Sequence, residues 1–183
     1  QMANNLANNI PNFRRSFKNA TPFKSGLNKN FTSIIHQKIS LNYQSIIKSS
    51  LRSGARLRAV GKADNPDIIQ TIYVSKIEHA ISLYKNGMTL VLDQLNHAYP
   101  FLNILERKAS EILGIHRDFL ESKLSLSLLE SGFPVHFDRW DVIQFQLKGI
   151  KEWSLATNDY VRYQGDDFSV GYPVQKRLLA YPN

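Results

Sequence analysis

GFPVHFDRWDVIQFQLKGIKEW, from Gly132 to Trp153, is the stretch on which the reading of the fold turns. His136 and Asp138 stand two apart, so on a strand both side chains leave the same face. An imidazole and a carboxylate so placed fill two of the three positions of a 2-His-1-carboxylate facial triad, the ligand set of non-haem Fe(II) oxygenases. Lys151 follows thirteen residues after the aspartate. From there its ammonium can reach back to a carboxylate held beside the metal. Taken alone, His-x-Asp is a common chance pair and Lys151 is an ordinary exposed hairpin lysine. The surroundings argue for more, because the alternating Val142, Gln144 and Gln146 enter a Lys148-Gly149 turn and a second strand is expected over 151–155.

Working outward, Leu124-Ser125-Leu126-Ser127-Leu128 alternates strictly, which predicts a strand with one apolar and one hydroxyl face. Glu130-Ser131-Gly132 reads as the turn between it and the His-x-Asp strand. Upstream, Pro100 opens a helix carrying Leu102, Leu105, Ala109, Ile112 and Leu113, closed by Gly114. Thr89 to Leu92 reads as a short buried strand, preceded by a helix over 75–85 that stops at Asn86-Gly87. Ala55 to Val60 reads as a strand with Arg56 and Arg58 on one face. Apolar residues at Ile34, Ile35, Ile39, Ile46, Ile47 and Leu51 suit two short amphipathic helices broken at Ser53-Gly54. Asn65-Pro66 marks a turn, and the first 30 residues read as a loose lead-in with a short apolar element at Phe13 and Phe17.

The 183 residues suffice for one domain with a helical extension, and 43% hydrophobic content supplies a core. No apolar run approaches the roughly 18 residues of a membrane span. No secretory signal stands in the first 30 residues, and there are no cysteines, which excludes disulfides, thiolate metal sites and thiol nucleophiles. A cytoplasmic location is the expectation. The net charge of +8 is concentrated at one end: residues 1–60 hold ten Lys and Arg and no Asp or Glu. Such a field attracts RNA, a ribosomal surface or an acidic peptide, or else belongs to a solvated basic arm.

In the register of Gly132, Phe133, His136, Asp138, Asp141, Val142, Gln146, Gly149, Lys151 and Trp153, the chain resembles the JmjC-type, cupin-fold 2-oxoglutarate oxygenases, in the branch that contains the ribosomal oxygenases. Asn86 to Leu92 and the helix after Pro100 are similar to the same family. The resemblance covers residues 55–155 well and the first 50 weakly. It implies an α+β protein with a mainly β core, a double-stranded β-helix preceded by helices. Residues 1–54 would be a basic helical extension, and 55–183 the N-terminal part of the catalytic domain.

The resemblance also implies Fe(II) and 2-oxoglutarate as cofactor and cosubstrate. His136 and Asp138 would be iron ligands and the catalytic pair. Lys151 would pair with the distal carboxylate of 2-oxoglutarate, helped by the hydroxyl of Ser127 or, alternatively, of Ser125. Trp153 and Phe145 would sit in the barrel core. Two departures stand against the pattern. Many members carry Tyr where this chain has Leu124, and the family's third ligand is a downstream histidine, whereas no histidine follows His136 here. The expectation is therefore an incomplete barrel, completed by a longer protein, by a second copy in a homodimer or by another chain; a degenerate relative is the third option. The function so implied is hydroxylation of a protein or peptide side chain. A small-molecule hydroxylase and a non-catalytic cupin-like binding module are the alternatives.

Overall fold

The computed structural model describes residues 29–62, 69–133, 136 and 142–155. The chain is α+β, with several helices and a four-strand antiparallel sheet. It divides into two compact units, 1–55 with 93–123, and 56–92 with 124–183.

The first unit is helical. α1 (Lys29–Lys38) buries Ile35, with Ile39 buried just past its end, and α2 (Tyr43–Arg52) buries Ile46 and Ile47. Asn42 caps α2, its side-chain oxygen accepting from the N–H groups of Gln44 (3.0 Å) and Ser45 (3.1 Å). At the other end Gly54 takes φ +75°, which lets Ala55 N–H reach back to Ser50 C=O at 3.0 Å and closes the helix. α4 (Leu95–Ala98) and α5 (Leu102–Leu113) complete this unit, with a single 3-10 turn at Arg117–Phe119. Glu106, buried on α5, accepts a hydrogen bond from Ser122 N–H at 3.1 Å. Buried Asp93 is 3.5 Å from the Lys123 ammonium. Both carboxylates therefore have the partners that burial demands.

The second unit holds the sheet. Its strands, β1 (Arg56–Lys62), β2 (Ile69–Val74), β3 (Thr89–Asp93) and β4 (Leu124–Leu126), run in the spatial order β2-β1-β3-β4. β1 and β2 form an antiparallel pair with Leu57 opposite Val74 and Arg58 opposite Tyr73. β3 and β4 pair antiparallel with Leu90 opposite Leu126 and Leu92 opposite Leu124. Every residue of β3 is buried, as expected of an interior strand covered on both faces. α3 (Ile77–Lys85) packs against β1 and β2 and ends at Gly87, where φ of +87° allows Met88 N–H to bond Leu83 C=O at 3.1 Å. Met88 then lies so close to Gly61 that a β-carbon there would meet its Cγ at 3.2 Å.

Several expectations meet the structure directly. The two N-terminal helices, β1, α3, β3, α5 and β4 occur where the sequence places them, although β4 is shorter than the five-residue alternation. Two elements are additional: β2, whose IQTIYV shows no clean alternation, and the single-turn α4. One expectation is corrected. Among the described residues, 142–147 and 151–155, read as strands, are not assigned as strand, and His136 stands at an isolated bridge. Alternation selects a face, but a strand also needs a neighbour to take its backbone hydrogen bonds. The described sheet ends at β4. The Asn65-Pro66 turn and the Phe13 and Phe17 element lie outside the described residues.

Two substitutions test this core. Ile47 is fully buried, so Ile47→Ala is expected to lower unfolding free energy by about 2–5 kcal/mol. Ser50 is also fully buried, and among the described residues its hydroxyl finds no hydrogen-bond partner. Ser50→Ala removes that burden and improves helix propensity, so a gain of about 1 kcal/mol is expected in chemical denaturation.

Candidate functional site

The site lies in the second unit and begins at β4. Val91 opposite Ser125 fixes the register, so Ser125 shares a face with Val91 and the leucines occupy the other. One residue beyond the strand, Ser127 keeps the pattern: its hydroxyl lies 2.9 Å from the Thr89 hydroxyl as a cross-strand pair. Thr89 is fully buried, and this bond satisfies its hydroxyl. Ser127 itself stays exposed, with hydrogen-bonding capacity left over. A turn at 129–130, with Glu130 at φ +62°, then carries the chain to Phe133.

Phe133 is where the motif comes together. The His136 imidazole sits 5.6 Å from the Phe133 ring, centroid to centroid, tilted by 56°. The Lys151 ammonium lies 5.3 Å from the same ring and 4.5 Å from the Trp153 ring. Both distances are within the range at which an aromatic face attracts a cation. Three members of the motif, Phe133, His136 and Lys151, separated by up to 18 positions in sequence, thus share one aromatic centre. Burial pushes the Lys151 ammonium below its ordinary pKa of 10.5. Aromatic walls that exclude water weaken its solvation and strengthen its attraction for an anion.

Asp138, the second candidate ligand, lies outside the described residues. Among the described residues no group of three or more His, Asp or Glu side chains stands ready to hold a metal ion. His36, His97 and His116 belong to the helical unit, and His79 is exposed on α3. The groups present at this ring are one imidazole and one partly desolvated ammonium. Ser127 and Ser125 lie on the strand leading into the motif, and Ser127 is bonded to Thr89.

Trp153 and Phe145 differ from their expected core role: they are 50% and 39% exposed. Sequence reasoning also missed two participants. Thr89 was legible only as an apolar-strand residue, because its partner is 38 residues away. Phe133 matched the motif without a role, since the spacing of His136 and Lys151 gives no sign that one ring serves both. No family model, curated protein or solved structure matches this chain.

The desolvation of Lys151 has a thermodynamic sign. A depressed folded-state pKa means that folding disfavours the charged form at neutral pH. That cost is relieved as pH rises through the folded pKa toward 10.5. Lys151→Met is therefore expected to leave stability at neutral pH unchanged or raised. The gap between variant and parent should shift in the parent's favour as pH climbs through that alkaline window. Paired denaturation curves from neutral to alkaline pH check this, and a difference independent of pH would contradict it.

Proposed function

We propose that this chain carries the iron- and cosubstrate-binding segment of an Fe(II)- and 2-oxoglutarate-dependent oxygenase of the JmjC, cupin-fold kind, which hydroxylates a protein or peptide side chain. The observation that supports it best is the meeting of the His136 imidazole and the Lys151 ammonium on the Phe133 ring. A metal-binding nitrogen and a carboxylate-binding cation must lie close together if one small oxo acid is to touch both. The finer fold that goes with this reading is a double-stranded β-helix, of which the β3–β4 pair would form part.

In this reading His136 and Asp138 hold Fe(II), with a third ligand supplied from outside these 183 residues. The bound iron and oxo acid supply the oxidising chemistry, and the protein supplies ligands, orientation and a shaped cavity. Lys151 binds the distal carboxylate of 2-oxoglutarate through a charge-assisted hydrogen bond. Its partial desolvation makes that bond stronger than it would be in open water. The exposed hydroxyl of Ser127, oriented by Thr89, or that of Ser125, adds a donor to the same carboxylate. The aromatic walls keep water from competing for the ammonium. The basic excess of residues 1–60 draws the protein toward a polyanionic surface such as a ribosome or RNA. A second copy or another chain would complete the barrel.

Anaerobic Fe(II) titration and succinate formation from 2-oxoglutarate, both with the full-length protein, test the reading. Fe(II) binding is expected in the parent protein and its loss in His136→Ala and Asp138→Ala. Lys151→Ala is expected to keep iron but weaken 2-oxoglutarate binding by roughly 10- to 100-fold, the worth of one hydrogen bond to a charged group. Absence of Fe(II) binding in the parent would leave a cupin-like binding module as the better account.

A further inference from the structure

The lysine of the candidate site is held by more than its own backbone position. Its ammonium lies 4.5 Å from the Trp153 ring and 5.3 Å from the Phe133 ring, one contributed from two residues further along the chain and the other from 18 residues before. A lysine side chain left in solvent samples many rotamers, and binding an anion at one point must then freeze them. Two aromatic faces with negative quadrupoles remove much of that freedom before any ligand arrives. Trp153 is half exposed, so packing of a core does not account for its place against Lys151.

We propose that Phe133 and Trp153 are positioning residues for Lys151, an aromatic clamp that fixes the direction of its ammonium before an anion binds. Phe133 has a second task, because its ring also flanks His136 and thereby fixes the spacing between imidazole and ammonium. Depressed basicity of Lys151 agrees with walls that displace water from it. What Lys151 binds rests on the oxygenase reading above; how Lys151 is held rests on the ring geometry alone.

The test separates these two statements. In full-length protein labelled with 13C-lysine, the Lys151 Cε–H resonance is identified by its absence in Lys151→Arg. Ring currents from two faces are expected to place it upfield of the other lysines. Trp153→Leu, which keeps apolar bulk but has no π face, should move it toward the ordinary position, and Trp153→Phe should largely restore it. Phe133→Leu should shift it too and also move the His136 ring signals. Titration with 2-oxoglutarate reads the consequence. Trp153→Leu is expected to weaken 2-oxoglutarate roughly three- to tenfold, with Trp153→Phe close to the parent protein. An upfield Lys151 signal that responds to these variants without any 2-oxoglutarate binding would uphold the clamp and overturn the oxygenase reading. A Lys151 signal among the ordinary lysines, or Leu and Phe variants that behave alike, would overturn the clamp.

Discussion

The pairing of β4 with β3 is the constraint on which the site depends. β3 is buried along its whole length, so the strand beside it must present its leucines to one face and its serines to the other. A slip of one residue would exchange those faces. The Thr89–Ser127 hydrogen bond adds a polar lock at the end of the ladder, where the 2.9 Å contact is satisfied only in this register. From that anchored end the chain runs through the turn at 129–130 to Phe133. The motif therefore follows a strand paired to the fully buried β3, and its first aromatic residue lies seven positions past the end of β4 at Leu126.

The electrostatics of the site follow from a balance. Removing water from an ammonium is costly, and for Lys151 that cost shows as depressed basicity. Two aromatic faces offset part of it, with a contribution of roughly 0.5–2 kcal/mol each for cation–π contacts. What remains is a cation that is incompletely solvated and set against two rings, a state that, in the proposed reading, would favour an incoming carboxylate over bulk water. An arginine at this position would offer a planar fork and a broader charge, whereas lysine presents a point charge suited to one carboxylate end. Ser125 on β4 and Ser127 just past it bring hydroxyls without charge, so in the proposed reading the selectivity for an anion would rest on Lys151.

Much of the secondary structure was legible because the signals were local. Ser53-Gly54, Asn86-Gly87 and Gly114 each end a helix where a left-handed glycine is needed, and all three glycines adopt positive φ. The Leu-Ser alternation announced β4, and the continuous apolar run from Leu90 to Leu92 announced a buried strand. β2 was illegible because its exposed Gln70, Thr71 and Tyr73 do not alternate with buried residues along an edge. Residues 142–155 misled in the opposite sense: their alternation suits a strand, but pairing is decided by neighbours far away in sequence. In the candidate site, residue identity was legible and three-dimensional role was not. Lys151 stood out through its spacing from Asp138, whereas its contact with the Phe133 ring joins residues 18 apart, and no pattern in the chain foretells such a contact.

The account stands or falls on whether one ring serves both the imidazole and the ammonium. Nuclear Overhauser contacts from a selectively labelled Phe133 ring measure that directly. The geometry predicts cross-peaks from Phe133 ring protons to the His136 ring and to the Lys151 Cε protons in the same sample, given centroid distances of 5.6 and 5.3 Å. Cross-peaks to only one of them, or to neither, would contradict a shared site.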